Sequence, residues 1–148
     1  MTDKIYICFD YGDKRTGVAL SDASALIATG RSSFNASGPK AAAREAMRLI
    51  KEILPQGIVV GYPLAPDGGS AGERCKIVDR FIAELGKRTD VPLYRQDERE
   101  SSAQARAVIH AHGKSVTRKR RRAGAVDQIA AAVILQRWLD SPANKPTE

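Results

Sequence analysis

The strongest constraint on the fold is a short apolar run near the N-terminus that ends in a carboxylate. Residues 5–9 (Ile-Tyr-Ile-Cys-Phe) are all apolar or nearly so, which is typical of a strand buried on both faces of a sheet. Asp10 follows directly, at the carboxyl end, where open α/β sheets place their ligands. Because an unpaired charge is costly in such a position, Asp10 is a candidate metal ligand.

Composition sets the size of the fold and the type of partner. The chain has 148 residues, 43% of them hydrophobic, which fits a single domain with one sizeable core. We place that domain at residues 1–140 and expect a frayed tail at 141–148. Lys and Arg total 24 against 17 Asp and Glu, a net charge of +7, which favours nucleic acid as the partner.

Cysteine usage and the N-terminus indicate a cytoplasmic protein without a membrane segment. Cys8 and Cys75 are too few and too far apart for a disulfide framework, so both are predicted to be buried, reduced thiols. The first four residues contain no apolar signal core, and no run approaches the roughly 18 apolar residues of a membrane span.

The first half of the chain indicates a mixed sheet. A second strand at 17–21 follows the first after a short turn and is therefore predicted to be antiparallel, and a third is predicted at 28–34. Apolar residues at helical spacing then predict a helix of about four turns ending before Pro55. A strand at 57–61, reached through that helical crossover, is predicted to run parallel to the first.

The second half alternates helices with one further strand. A long loop at 63–72 precedes a helix that a Ser70/Glu73 capping box would start and that should end near Gly86. A strand at 91–96, with an early Pro that suits an edge, is followed by a helix at 101–112, a basic connecting segment and a final helix. This order predicts an α/β fold with helices packed on a mixed sheet.

Acidic residues occur at three places that such a topology could bring together. Asp10 ends the first strand, Asp97 and Glu98 end the last strand, and Asp127 is predicted to lie in the first turn of the final helix. Parallel strands open at the same edge of a sheet, so these carboxylates are expected to converge there. Oxygen-only ligands select hard ions such as Mg²⁺ or Mn²⁺. Two such ions about 4 Å apart would support phosphodiester hydrolysis.

Positive charge accompanies each acidic segment. Lys14 and Arg15 follow the first acid, Arg99 follows the second pair, and the run Arg118, Lys119, Arg120, Arg121 and Arg122 precedes the third. Cations of this kind hold a phosphate backbone with little sequence specificity. The run by itself reads as a solvated, disordered loop, because five adjacent like charges repel one another.

With these blocks in view, the chain resembles the YqgF/RuvX family, a family of Holliday junction resolvases and nucleases for the precursor of 16S rRNA. The resemblance spans nearly the whole chain and rests on four ordered blocks: residues 9–22 (Phe-Asp-Tyr-Gly through Ser-Asp), 59–68 (Val-Val-Gly-Tyr-Pro with Asp-Gly), 97–99 (Asp-Glu-Arg) and 127–136 (Asp-Gln-Ile-Ala-Ala-Ala with Ile-Leu-Gln).

The resemblance implies a ribonuclease H-like fold with a mixed five-stranded sheet and helices on both faces. It also implies that Asp10, Glu98 and Asp127 are catalytic, metal-binding acids of a Mg²⁺- or Mn²⁺-dependent hydrolase. The substrate would be structured RNA, at the 5′ end of pre-16S rRNA, or a branched DNA junction, whose symmetrical cutting would need a homodimer. The sequence departs from the family pattern in Glu100-Ser101-Ser102 and in Leu64-Ala65-Pro66.

Several alternatives stay open at the level of sequence. Adjacent strand residues face opposite sides, so either Asp97 or Glu98 could point into the site. Asp10 could accept N–H groups of the following turn, and Asp127 could merely favour the positive end of its helix dipole. The chain could bind nucleic acid without cleaving it, or resemble one half of a nucleotide phosphotransferase through its Asp-x-Gly turn.

Overall fold

Five strands form one sheet in the part of the chain that the computed structural model describes. That part covers residues 4–63, 72–97 and 119–141, with the backbone alone described at 119–125. The strands, in chain order, are β1 (Tyr6–Asp10), β2 (Arg15–Ser21), β3 (Ala28–Asn35), β4 (Gly57–Tyr62) and β5 (Leu93–Asp97).

The sheet is mixed, with the order β3-β2-β1-β4-β5. β1 pairs antiparallel with β2 and parallel with β4, and β4 pairs parallel with β5. The predicted strands and their directions are therefore confirmed, including the edge position of β5, whose first residue directly follows Pro92. The carboxyl ends of β1, β4 and β5 all open at one edge, which we call the carboxyl edge.

Helices cover both faces of the sheet, as predicted. Their bounds are α1 (Pro39–Ile53), α2 (Glu73–Gly86) and α3 (Lys119–Asp140). Alternation along β1 separates two cores. Ile7 and Phe9 pack with α1 and α2, whereas Tyr6 and Cys8 pack with α3. We refer to these sides as the α1/α2 face and the α3 face.

Two local predictions about helix starts are wrong. The N-cap of α2 is Gly72, which makes no side-chain capping bond, so the Ser70/Glu73 capping box does not start this helix. The basic residues 119–122 belong to α3 rather than to a loop. Residues 64–71 of the predicted 63–72 loop, the predicted helix at 101–112 and residues 142–148 of the predicted tail lie outside the described residues.

The cysteines and the helices agree with the remaining fold predictions. Cys8 and Cys75 are both buried and free of disulfide bonds. Within the described ranges, no helix combines the length and the apolar character that crossing a membrane requires. Trp138 is 1% exposed and lies between the rings of Tyr6 and Tyr94, at centroid distances of 4.7 and 4.9 Å, inside the α3 core rather than at its edge.

A carboxylate fixes the turn between β2 and β3, at the end of the sheet opposite to the carboxyl edge. The Oδ1 atom of Asp22 accepts the backbone N–H groups of Ile27 at 2.9 Å and Leu26 at 2.7 Å. The bond from the Ile27 N–H has the largest effect on the pKa of Asp22. Together with the bonds from the Ser24 hydroxyl and the Leu26 N–H, it lowers that pKa from 3.8 to about 2. The folded state therefore favours the ionised carboxylate.

The stability lost on replacing this carboxylate should depend on pH in a defined window. Because the pKa of Asp22 is depressed in the folded state, its contribution is complete above about pH 4 and is lost as the pH falls towards about 2. We expect Asp22→Ala to lower the urea midpoint at pH 6 and the difference from wild type to shrink between pH 4 and pH 2, as measured by circular dichroism. A difference that stays constant with pH would contradict this assignment.

Candidate active site at the carboxyl edge

Asp10 lies at the carboxyl edge on the α3 face of the sheet. It is the last residue of β1, is half-buried, and stands opposite Gly17 of β2 in the antiparallel register. Tyr6 and Cys8 point towards α3, so alternation places Asp10 on that same face. The end of β1 thus presents a carboxylate in the direction from which α3 approaches.

Gly17 allows α3 to lie unusually close to β2. A Cβ atom at Gly17 would be 2.1 Å from the backbone oxygen of Asp127, far inside any tolerable contact. Gly30 on β3 plays a similar part, since a Cβ atom there would be 3.0 Å from Cβ of Gln128. Because these two glycines of β2 and β3 have no Cβ atom, this part of α3 packs directly on the sheet, and Asp127 lies beside Asp10.

Asp127 occupies the body of α3 and not its first turn. The helix begins at Lys119, about two turns earlier, so the predicted first-turn position is wrong. The helix dipole acts within the first turn, which removes it as the reason for an acid here. The carboxylate instead accepts a bond from Nε of Arg15, with 2.9 Å between Nε and Oδ2.

Asp97, the last residue of β5, lies on the side of the sheet that faces α1 and α2. Leu93 packs in the α1/α2 core and Tyr94 in the α3 core, so alternation places Asp97 on the α1/α2 face. Arg95 shares that side, because its guanidinium bonds Asp79 of α2 at 3.1 Å. Asp97 is thus at the carboxyl edge but on the face away from Asp10. Glu98, its sequence alternative, and Arg99 lie outside the described residues.

Oxygen ligands at this edge suit a hard divalent ion. The structure brings Asp10 and Asp127 together around Gly17 and adds a cation, Arg15, that balances part of their charge. Within the described residues no cluster of three or more His, Cys, Asp or Glu side chains could by itself hold a metal ion. Two carboxylates match the chemistry of Mg²⁺ or Mn²⁺ and leave room for a further oxygen donor.

The predicted phosphate-binding cations fall into two groups. Lys14 and Arg15 lie at the turn from β1 to β2, and Arg15 is 48% exposed. Residues 119–122, predicted as a disordered loop, form the first turn of α3. Since α3 runs from Asp127 at the carboxyl edge towards Gln136 at the β2–β3 turn, its basic start extends about 12 Å beyond Asp127. Arg118 lies outside the described residues.

Sequence reasoning missed the residue that holds the β1–β2 turn in place. Arg74, in the first turn of α2, donates to the backbone oxygen of Tyr11 at 2.7 Å and to Oδ1 of Asp13 at 3.2 Å. Its guanidinium also lies 5.6 Å from the ring centroid of Tyr11. No local pattern marks a half-buried arginine at a helix start as the partner of a turn 61 residues earlier.

A separate cluster of polar side chains, formed by Tyr62, Asp79 and Arg95, lies at the carboxyl edge on the α1/α2 face. The Tyr62 hydroxyl donates to Oδ2 of Asp79 at 3.0 Å, and the Arg95 guanidinium lies 5.3 Å from the Tyr62 ring centroid. Burial and then the bond to Asp79 raise the pKa of Tyr62 to about 12. Tyr62 therefore stays protonated at neutral pH and cannot act as a general base.

Sequence comparisons assign this arrangement to a family. The family model described as RuvX: Holliday junction resolvase matches residues 4–141. A Chloroflexus aurantiacus protein named "Putative pre-16S rRNA nuclease" is 34% identical over 146 residues, covering 99% of this chain and 93% of its own length. A Pseudomonas fluorescens protein of the same name is 36% identical over 143 residues, 97% of each chain.

Solved structures of low sequence identity show the same fold. RuvC of T. thermophilus in complex with a Holliday junction substrate matches with a TM-score of 0.55 at 13% identity, covering 92% of this chain and 93% of that one. The Fowlpox virus resolvase, in complex with Holliday junction DNA, also matches with a TM-score of 0.55, at 9% identity and 93% and 99% coverage. The predicted ribonuclease H-like architecture is thereby confirmed, and from its match over residues 4–141 and its full-length relatives, this chain belongs to the RuvX family.

Proposed function

We propose that this protein is a divalent-metal-dependent endonuclease that hydrolyses phosphodiester bonds in structured nucleic acid. The observation that carries the proposal is the meeting of Asp10 and Asp127 on one face and one edge of the sheet, with Gly17 between them. Two acids brought side by side repel each other, which is unfavourable unless cations balance their charges. A site that gathers them is expected to bind cations.

Asp10, Asp127 and Glu98 are our proposed metal ligands and catalytic acids. Asp97 was the alternative to Glu98, and its position on the α1/α2 face argues against it. We therefore assign the third carboxylate to Glu98, the next residue in the chain. When bound, two Mg²⁺ or Mn²⁺ ions would supply Lewis acidity and lower the pKa of a water molecule so that it can act as the nucleophile.

The surrounding cations would hold the phosphate backbone. Lys14 and Arg15 flank Asp10 at the β1–β2 turn, and residues 119–122 begin α3 beyond Asp127. Four cations in a first helical turn are unfavourable, since the helix dipole is positive there, and a bound polyanion would relieve this repulsion. Arg99 and Arg118 complete the set that we propose from the sequence.

We propose pre-16S rRNA, cleaved at its 5′ end in the cytoplasm, as the substrate. The support is the shared name of the relatives that cover 97% or more of this chain. Holliday junction resolution is the second candidate, favoured by the description of the matching family. Resolution would need a homodimer, because symmetrical cutting requires two active sites.

Cleavage of matched substrates separates these candidates. Purified protein is incubated with a pre-16S rRNA fragment that contains the 5′ processing site, with mature rRNA of the same length, and with a four-way DNA junction, each with Mg²⁺, Mn²⁺ or EDTA. We expect metal-dependent cleavage of the precursor fragment at a defined position, mapped by primer extension. Faster cleavage of the junction, together with a dimer in light scattering, would favour resolution.

A catalytically silent nucleic-acid-binding module is the outcome that would overturn the enzymatic proposal. Such a module would bind the precursor with an affinity that falls steeply with added salt. It would yield no product with either metal, and its affinity would be unaffected by Asp10→Asn.

A further inference from the structure

Arg15 connects the acidic centre to the phosphate-binding surface. Its Nε atom bonds Oδ2 of Asp127 at 2.9 Å, while the side chain remains 48% exposed at the start of β2. We propose that Arg15 is a positioning residue that balances Asp127 until a divalent cation binds, and then transfers to a phosphate group of the nucleic acid. The inference rests on the proposed function and adds a coupling between metal and substrate binding.

The geometry places Arg15 where it can serve both partners. Arg15 and Gly17 are two residues apart on β2, so they lie on the same face of the strand, towards α3. Gly17 fixes the distance between β2 and Asp127, which brings the Arg15 side chain onto the carboxylate. Asp10 pairs with Gly17 in the register of β1 and β2, so a phosphate bound at Asp10 would lie near Arg15.

The ion pair is of a kind that a divalent cation can replace. Arg15 is half exposed and the Asp127 side chain is 22% exposed, and pairs with this exposure are weak and screened by salt. Arg74 shows the contrast at the same turn, because two hydrogen bonds and the Tyr11 ring hold its guanidinium. Arg74 is therefore a fixed support, whereas Arg15 is held, among the described side chains, by Asp127, a partly exposed partner that it can exchange.

Removing Arg15 should strengthen metal binding. In Arg15→Gln the carboxylate of Asp127 loses its balancing charge, so the site attracts a divalent ion more strongly. One unit charge a few ångströms away, in an exposed and screened setting, corresponds to Mn²⁺ binding that is roughly 3- to 10-fold tighter. Isothermal titration of the metal-free protein with MnCl₂ alone measures this without any nuclease reaction.

Two control variants separate the local effect from other causes. Arg31, on β3, forms an exposed pair with Glu52 of α1; Arg31→Gln removes the same charge there and should leave Mn²⁺ affinity within about twofold of wild type. Arg15→Lys keeps the charge at the site and should also stay near wild type. Thermal unfolding of each metal-free variant shows whether it is folded before the titration.

Transfer of Arg15 to a phosphate predicts an effect that depends on metal. Each phosphate contact contributes about one unit to the slope of log affinity against log salt. For a short labelled DNA duplex, Arg15→Gln should reduce the slope by about one unit with Mn²⁺ present. Without metal, Arg15 is held by Asp127, so wild type and variant should show the same slope. A gel after each titration confirms that the duplex is intact.

The outcomes distinguish this inference from the proposed function. Tighter Mn²⁺ binding in Arg15→Gln with a metal-dependent change in slope supports the transfer. If wild type binds Mn²⁺ and cleaves its substrate while Arg15→Gln binds Mn²⁺ equally or more weakly, the transfer is wrong and the nuclease proposal stands. If wild type neither binds Mn²⁺ nor cleaves, both proposals fail.

Discussion

Asp10→Asn is expected to reduce cleavage at least about 100-fold while the fold stays intact. Asn has the shape of Asp, so β1 and its pairing with Gly17 should persist, but the side chain loses the charge that a hard cation requires. Replacing residues that merely support metal ligands costs roughly 10- to 100-fold in affinity or activity, and a direct ligand should cost no less. Single-turnover rates at saturating Mg²⁺, with circular dichroism of the same samples, measure both parts.

Asp13→Asn is the matched control, because it removes the same charge from the same turn. The Asp13 side chain is 64% exposed and accepts a bond from one nitrogen of the Arg74 guanidinium. A second nitrogen of that group bonds the backbone oxygen of Tyr11 and would still do so in the variant. A surface pair of this type contributes little, so we expect activity within about threefold of wild type. If Asp10→Asn cleaves as fast as wild type, or if both variants lose activity equally, the acidic centre is misassigned.

The sheet could be predicted from the sequence because its information is local. Continuous apolar runs mark the central strands β1 and β4. A short turn requires β1 and β2 to be antiparallel, and the α1 crossover requires β1 and β4 to be parallel. Those directions place Asp10 at the carboxyl edge, whereas the position of Asp127 depends also on the packing of α3 against Gly17.

The start of α3 could not be predicted by the same means. Apolar periodicity detects a helix only where it packs on a core, and the first turns of α3 extend beyond the edge of the sheet. Lys, Arg and Ala are all good helix formers, so residues 119–123 can continue a helix that the apolar pattern begins only at Val126. Repulsion between adjacent like charges favours a loop, but the helical propensity of the same residues outweighs it, and residues 119–122 are helical.

Partners within the site also lie beyond local reasoning. Arg15 meets Asp127 across 112 residues, and Arg74 meets Asp13 across 61. Asp97 could be assigned to a face only once its neighbours Leu93 and Tyr94 were seen in opposite cores. The sequence proposes which charges are available, and the register of the strands decides which of them meet.

Gly17→Ala should damage stability and activity together. Its Cβ atom would lie 2.1 Å from the backbone oxygen of Asp127, and a backbone atom of a helix cannot rotate away. To restore ordinary contact, α3 must move by roughly 1 Å, an overpacking change that costs about 1–3 kcal/mol of unfolding free energy. A 1 Å misplacement of a reacting group can cost about 100-fold in rate. Urea unfolding and single-turnover cleavage measure the two losses.

Gly86→Ala tests whether the close approach, rather than the loss of a glycine, is responsible. At the end of α2 a new Cβ atom would meet only Cδ1 of Leu93 at 3.8 Å, an ordinary contact, so stability and rate should stay near wild type. If Gly17→Ala lost stability but kept its cleavage rate, the packing contact between α3 and Gly17 would not be what positions Asp127. If Gly17→Ala lost both stability and cleavage rate, the absence of a side chain at Gly17 would be needed for the fold and for the site. The contact that packs α3 on β2 would then also set the distance between Asp127 and Asp10.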